Sequence, residues 1–573
     1  MPLTPNGKVD KNVLPFPDTA IASSTQAQKQ HNALFTDTEL TLVDVWAAVL
    51  SIDRSIIGIK SNFFDLGGHS ISATRLVFSV RKVFAANVPL GMVYQSPTLQ
   101  EMAKDIEFLV CSDLNFSASS NNLLAVNSEN PSRPSTDEDI SFDYAADLDN
   151  VDDINICKGT LKQSPISRLN SKPLNIFLTG VTGFLGAFIL RSIFTQHPNS
   201  LVWCLVRAKS NEEGHNRIIE NCSRHLIQTN DWGCKIKACA GDLSASNFGL
   251  CQERWTEMCS VIDLIIHNGA LVHWVYPYQK LRSPNVLGTK TALLMATTIR
   301  LKPLHFVSST SVLDTDHFTK LIGVGKSVLE SDDLEGSRQG LGSGYGQTKW
   351  VAEKLVMRAR SRGVPCSIIR PGYIVGDSKT GGFFNFNSVT NTDDFIWRLV
   401  KGCIQLGEVP RISNVVNMCN VDYVSDLVVK VALSEEGVKL GVFHTWNSSK
   451  FKFDDLFTHL ISNRFPVVRS EYVLWRTALM DFTLQSGDHA LFPLLHFVLD
   501  DLPTSTKSPE LDDLNSRKVL LNSNINCADM AVSMPLYLGY LIHVGFLESI
   551  TPNLLPSLES WKSAIGIVGR SGN

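Results

Sequence analysis

Long apolar runs are missing from this chain of 573 residues: the closest approach, Met534–Leu547, is interrupted by Tyr, Gly and His. No membrane-spanning helix is therefore expected. Residues 1–18 carry Pro, Asn and Asp where a secretory signal needs an apolar core. A basic excess is missing as well. The 52 Lys and Arg stand against 56 Asp and Glu, a formal charge of −4, which leaves no footprint for electrostatic capture of nucleic acid. The 12 cysteines lack the paired C-x-x-C spacing of a zinc site and the density of a small secreted framework. Reduced thiols in a cytoplasmic protein are expected, with no metal site. What is present is apolar substance: 44% hydrophobic against 19% charged residues exclude wholesale disorder. The length requires two to four folding units.

Composition divides the chain into four parts. Residues 1–34 are polar and Pro-punctuated and read as the end of something larger. Residues 35–110 are helical in pattern: Thr36 and Glu39 form a capping box, Leu40, Val43, Ala47 and Leu50 recur at helical spacing, and Ser96-Pro97 offers a second N-cap. These signals predict a small four-helix bundle. Residues 111–172, rich in Ser, Asn and Pro and then in Asp, predict a flexible linker with one helix near its end. From residue 173 to 573 short β-branched runs alternate with helical segments. Strands are expected at Asn175–Leu178, Leu201–Val206, Lys235–Ala238, Leu264–His267, Leu304–Val307 and Ser367–Arg370, which is the pattern of an α/β doubly wound parallel sheet. After about Phe443 the text turns mainly helical and predicts a smaller C-terminal subdomain.

Three motifs carry chemistry. The run Phe63-Phe64-Asp65-Leu66-Gly67-Gly68-His69-Ser70 leads into an amphipathic stretch, so that Ser70 stands at a helix N-terminus where backbone N–H groups favour an attached phosphate; a plain helix cap is the other reading. After the first strand come Thr179-Gly180-Val181-Thr182-Gly183-Phe184-Leu185-Gly186 and a helical run. Gly180 permits the turn, Gly183 the approach of backbone to a pyrophosphate, and Gly186 the packing of helix on strand. The next strand ends in Arg207, where an acidic residue would mark NADH and a guanidinium matches the 2′-phosphate of NADPH. Arg217 is either a second clamp or a solvated helix charge. Later strands end in Asp242-Leu243 and Asn268-Gly269-Ala270, at the adenine and ribose sides of the cofactor or simply in turns. Finally, Tyr345 and Lys349 lie one helical turn apart, and the ammonium is expected to favour phenolate character in the tyrosine. A third hydroxyl is expected after the fifth strand, where Ser308, Ser309, Thr310 and Ser311 offer four, any of which can serve as a cap.

Together these residues resemble the extended short-chain dehydrogenase/reductases, specifically the thioester reductase domains attached to carrier domains. The stretches Asn268–Gly288, Ser343–Glu353, Arg370–Gly381 and Thr390–Gly407 are similar to the fungal aminoadipate reductases within that family. The resemblance implies a 4′-phosphopantetheine arm on Ser70, installed by a phosphopantetheinyl transferase, and a catalytic trio of Ser309, Tyr345 and Lys349. It adds Pro371 and Gly372 to the cofactor contacts. It implies NADPH-dependent reduction of a carrier-bound acyl thioester, that of L-2-aminoadipate, to the 6-semialdehyde in lysine biosynthesis. Leu3–Lys11 resembles the last motif of an adenylation domain whose body is absent, so Lys8 has no partner domain here. Acid activation then falls to a longer parent or another chain. Gly382–Val389 is longer and more apolar than the family's loop there, with consequences for substrate entry. A carrier-reductase for an aryl or other carboxylic acid and a non-catalytic carrier and docking module are the competing readings. A nucleotide-sugar epimerase shares the fold but has no use for Ser70.

Overall fold

The computed structural model describes residues 35–118, 143–152 and 173–548, apart from 69, 85–87, 89–90, 274–275, 323–324, 379–388, 393 and several positions within 486–507. Lys8 and most of the Gly382–Val389 loop lie outside the described residues. The chain forms two compact units.

The first unit contains the helices Asp37–Leu50, Ser70–Phe84, Gly91–Gln95 and Leu99–Ala118. Thr36 and Glu39 close the first as a reciprocal capping box, with N···O distances of 3.2 and 2.8 Å. Leu42, Val43 and Trp46 face inward, and the Trp46 ring meets Phe63 edge-on at 5.2 Å. The two glycines of the serine motif differ in role. Gly67 has φ +96°, in the left-handed region. A Cβ on Gly68 would come within 2.4 Å of the Phe63 ring and carbonyl, so this turn closes only on glycine. The turn delivers the chain to Ser70, the first residue of its helix, whose inward face is Ala73, Leu76, Val77 and Val80. The last helix is capped by Thr98 with Glu101 and not by Ser96, whose hydroxyl bonds Asp105 instead. That helix continues to Ala118, past the boundary at 110.

The second unit is built on a sheet of seven parallel strands: β1 (Asn175–Thr179), β2 (Leu201–Val206), β3 (Ile236–Ala240), β4 (Leu264–His267), β5 (Leu304–Val307), β6 (Cys366–Arg370) and β7 (Val442–His444). Their spatial order is β7-β6-β5-β4-β1-β2-β3. The strands read as continuous apolar runs because both faces are covered. Along β1, Phe177 joins a core with Trp350 and Leu355 of helix Gly344–Ser361, while Ile176 and Leu178 join one with Phe188 of helix Phe184–Gln196 and Leu427 of helix Val421–Ala432. β7, only three residues long, lies where the sequence suggested mainly helix. Strand order reverses between β1 and β4, and in open parallel sheets the crevice beyond that point receives the ligand.

Residues 143–152, within the stretch expected to be linker, form helix Tyr144–Val151 packed against helix Gly344–Ser361. Its buried residues include Tyr144, Leu148 and Val151, the apolar face that an Asp-rich count obscures. The C-terminal part includes helices Phe395–Leu406, Phe453–Ser462, Tyr472–Gln485 and Met530–His543. Among the described residues no helix is long and apolar enough to cross a membrane, and the ten cysteines from Cys204 to Cys527 are free thiols.

Candidate active site

The glycine loop leaves the C-terminal end of β1 and enters helix Phe184–Gln196 through Gly183, an N-cap with no side-chain hydrogen bond. No side chain competes there for the first N–H groups of the helix, which suits a pyrophosphate. Gly180 has φ +74°, and a Cβ on it would lie 2.7 Å from the Gly269 Cα, so the loops after β1 and β4 touch backbone to backbone. A Cβ on Gly186 would lie 2.0 Å from the Gly180 carbonyl oxygen. Gly183, by contrast, is exposed and its nearest neighbour would be an ordinary 3.4 Å away. Thr182 is half-buried, as are Phe184 and Leu185. Thr179 Oγ1 accepts from the Gly269 N–H at 2.8 Å and pairs with His267 Nδ1 at 2.9 Å; His267 Nε2 meets Thr289 Oγ1 at 3.1 Å. Burial, and after it the Lys349 charge, pushes His267 down to about 3, so it is a neutral strut between two threonines. Asn268 Nδ2 reaches the Gly180 carbonyl at 3.4 Å, and Ala270 follows at the rim.

At the end of β2, Arg207 is exposed and Arg217 donates to the Arg207 carbonyl. Neither guanidinium has an ion-pair partner among the described residues. Two unneutralised guanidiniums beside the glycine loop are a donor set that fits a 2′-phosphate. Asp242 accepts from Ser244 N at 2.7 Å and so organises its own turn, while Leu243 lies against Gly269 and Gly288. The structure thus places the loops after β1, β2, β3 and β4, which carry these residues, at the C-terminal edge of the sheet, with those after β1 and β4 in contact.

Helix Gly344–Ser361, capped by Ser343, carries Tyr345 and Lys349. Ser309 Oγ accepts from Ser311 N at 3.1 Å and so caps the short helix Thr310–Leu313, and its side chain draws the Tyr345 hydroxyl down in pKa. Of the other three hydroxyls, Ser308 donates to Glu353, Ser311 Oγ is buried without a partner, and Thr310 is held through its backbone N–H by the Pro371 carbonyl at 2.9 Å. The Lys349 Nζ donates to the Val307 carbonyl at 2.7 Å and stands 5.9 Å from the Tyr345 ring centre. Gly372 is pressed against Asn417, its would-be Cβ 2.6 Å from the Asn417 carbonyl oxygen.

The electrostatics correct one expectation. Burial raises the Tyr345 hydroxyl above its ordinary value, and the Ser309 side chain opposes it. Burial also pushes Lys349 down to about 7, against the raising effect of Glu353. Desolvation is the larger of the two effects on Tyr345, which favours the protonated phenol, a proton donor, over the phenolate.

Sequence reasoning missed the supports of this trio. Glu353, one turn beyond Lys349, is bound by Arg370 at 2.7 Å with neither side chain exposed, and Arg370 contacts His444 Nε2 at 3.0 Å. Asn285 joins Leu271 and Thr348, and Asn221 donates to the carbonyls of Val181 and Gly183 at 3.1 and 3.2 Å, bracing the glycine loop. The i, i+4 spacing of Lys349 and Glu353 was a usable signal; the other supports are set by tertiary contacts alone.

Known proteins resemble this chain in both of its parts. The family described as male sterility protein, an NAD-binding domain, matches residues 178–428, and the phosphopantetheine attachment site family matches residues 41–106. The L-2-aminoadipate reductase of Schizosaccharomyces pombe is 42% identical over 98% of the chain and 39% of its own length. The L-2-aminoadipate reductase large subunit of Penicillium chrysogenum is 38% identical over 100% of the chain and 41% of its own length. The chain spans about two-fifths of these curated relatives. Among solved structures, the terminal R domain of the myxalamid PKS-NRPS biosynthetic pathway is 31% identical with a TM-score of 0.63, covering 71% of this chain and 99% of that one.

Proposed function

The chain belongs to the family of terminal reductase (R) domains, preceded in sequence by a phosphopantetheine carrier, and from that premise we propose that it reduces a carrier-bound acyl thioester to an aldehyde. The acyl group is L-2-aminoadipyl and the product its 6-semialdehyde. What supports this reading is that Tyr345 and Lys349 share one helix, with Lys349 bonded to the end of β5 just before Ser309, in a parallel sheet whose first strand bears the glycine loop and in a chain that also holds the Ser70 motif. The names of the relatives support the choice of acyl group.

NADPH, when bound, supplies the hydride, and 4′-phosphopantetheine on Ser70 holds the acyl group as a thioester. The first turn of helix Phe184–Gln196 holds the pyrophosphate, Arg207 and Arg217 the 2′-phosphate, and Asp242, Leu243 and Asn268 to Ala270 line the rest of the cofactor, with Pro371 and Gly372 near its nicotinamide end. Tyr345 Oη would give its proton to the carbonyl oxygen as negative charge develops there, an interaction stronger in the transition state than in the ground state, and would take that proton back as the C–S bond breaks, freeing the aldehyde while the arm leaves as its thiolate. Ser309 Oγ fixes that hydroxyl and shares the oxyanion. Lys349, held on the Val307 carbonyl, orients the nicotinamide ribose and places a positive charge beside Tyr345 below its own pKa. A phosphopantetheinyl transferase arms Ser70, and an adenylation domain, in a longer parent or another chain, forms the thioester. The free thiols of the chain suit the cytoplasm.

The test is single turnover. The chain is armed from aminoadipyl-coenzyme A by a phosphopantetheinyl transferase, the gain of mass at Ser70 is verified, and NADPH absorbance is followed while the aldehyde is trapped. Stoichiometric NADPH loss with aminoadipyl, and little with aryl or simple aliphatic acyl groups, is expected. Preferential reduction of an aryl group would replace the substrate, and no NADPH consumption with any acyl group would leave a non-catalytic carrier module.

A further inference from the structure

Three donors converge on the Asp147 carboxylate: Tyr278 Oη at 2.6 Å, Arg282 Nε at 2.6 Å and an Arg282 terminal nitrogen at 2.8 Å. The carboxylate is 7% exposed, so its charge is stable there only because both oxygens are paired. Asp147 belongs to helix Tyr144–Val151, in the stretch of sequence between the carrier and the sheet. The same helix is fastened twice more. The Tyr144 hydroxyl donates to the Ser337 carbonyl at 2.6 Å while its ring meets Trp350 edge-on, and Asp152 pairs with Arg358 and Arg362. Trp350 and Arg358 lie on the helix that carries Tyr345 and Lys349.

What Asp147 holds leads directly to the reacting edge. Tyr278 and Arg282 are the first and last residues of a short helix, and the next five residues, Ser283–Leu287, form a π turn. Such turns are rare and need support from outside the segment. Asn285 sits within it. Its Oδ1 accepts from Leu271 N at 2.7 Å, and its Nδ2 donates to the Leu271 carbonyl at 3.1 Å and to Thr348 Oγ1 at 3.0 Å. Leu271 directly follows Asn268 to Ala270 of the cofactor crevice, and Thr348 is the residue before Lys349. Asn285 thus ties the loop after β4 to the helix bearing the proton donor.

We infer that Asp147 is a positioning residue for the reduction: by clamping Tyr278 and Arg282 it fixes the π turn and, through Asn285, the spacing between the cofactor loop and Tyr345. This rests on the reading that the crevice reduces a thioester. It makes the segment between carrier and sheet a working part of the reductase as well as a connection. A shift of about 1 Å at such a distance costs on the order of 100-fold in rate.

The experiment uses the full chain, armed on Ser70, as Asp147→Ala and Asp147→Glu. Amide exchange is expected to quicken at Leu271 and across Ser283–Leu287 in Asp147→Ala, with Leu201–Val206 unchanged. The single-turnover rate should fall about 10- to 100-fold while NADPH affinity stays within about twofold, and Asp147→Glu should recover part of the rate. Unchanged exchange at Leu271 would overturn the inference, as would a rate loss matched by an equal loss with Tyr144→Phe, a change that leaves the clamp intact. If Asp147→Ala does not fold, Tyr278→Phe, which removes one donor and leaves the ion pair, is measured in the same way. Because exchange needs no acyl thioester, a chain that proves inactive in every form would sink the proposed reaction and still decide whether Asp147 holds the π turn.

Discussion

The carboxylate of Glu353 and the guanidinium of Arg370 meet at 2.7 Å with neither side chain exposed to solvent, and this pair joins the helix of Tyr345 and Lys349 to the end of β6. A buried pair of this kind is costly to break from one side. Glu353→Ala leaves Arg370 a buried cation facing only His444 and the Asp332 carbonyl, and should cost about 3–5 kcal/mol in urea-induced unfolding. Glu353→Gln keeps a hydrogen-bonding side chain beside Ser308 but removes the negative charge that raises Lys349. The alkaline limb of kcat/KM should then move to lower pH than in the parent chain.

Lys349 itself predicts the position of that limb. Burial holds it at about 7, so the ammonium beside Tyr345 is lost as pH rises through that value, and kcat/KM for reduction should fall on the alkaline side. The sign for stability is opposite. The folded pKa lies below the unfolded value of about 10.4, so the cost of burying the ammonium is fully present below about pH 7 and is relieved between there and the unfolded value. Compared with Lys349→Met, the parent chain should gain on the order of 2 kcal/mol between pH 7 and 9. Equal pH slopes for the two chains in chemical denaturation would contradict a depressed Lys349.

Arg207 and Arg217 carry the cofactor preference. An Arg207→Ala chain loses a charge-assisted contact to the 2′-phosphate that NADH never makes, so NADPH affinity should drop about 10- to 100-fold and NADH affinity should stay within about twofold. Fluorescence titration with both nucleotides measures this directly. Arg217→Ala should have a similar direction through a second route, since its guanidinium braces the Arg207 backbone.

How much of this was legible in the sequence depends on the range of the interaction. The six long strands are recovered to within two residues because each is a buried apolar run flanked by turns, and Tyr345 and Lys349 are local to one helical turn. β7 was not, because three residues give no period; a helix in the linker was expected, but not that Tyr144–Val151 docks, since its acidic residues meet their partners Arg282, Arg358 and Arg362 only in the fold. The expectation for Tyr345 failed for a related reason. The spacing to Lys349 is visible in sequence, but the desolvation that raises the Tyr345 hydroxyl comes from the whole fold.

The three loop glycines separate into fold and function, and alanine can distinguish them. Gly186→Ala would drive its Cβ to 2.0 Å from the Gly180 carbonyl oxygen, so the helix must back away from β1 and stability should fall by about 1–3 kcal/mol, with NADPH binding lost as a consequence. Gly180→Ala combines a left-handed φ of +74° with a 2.7 Å approach to the Gly269 Cα and should also destabilise the fold. Gly183→Ala meets protein only at 3.4 Å, and its φ of −92° is open to any residue, so thermal stability should hardly change. Its methyl group would instead stand where the pyrophosphate approaches the N-terminus of helix Phe184–Gln196, weakening NADPH by about tenfold or more. Thermal melts and NADPH titrations on the three variants check the division. A Gly183→Ala chain that binds NADPH as tightly as the parent would place the pyrophosphate elsewhere.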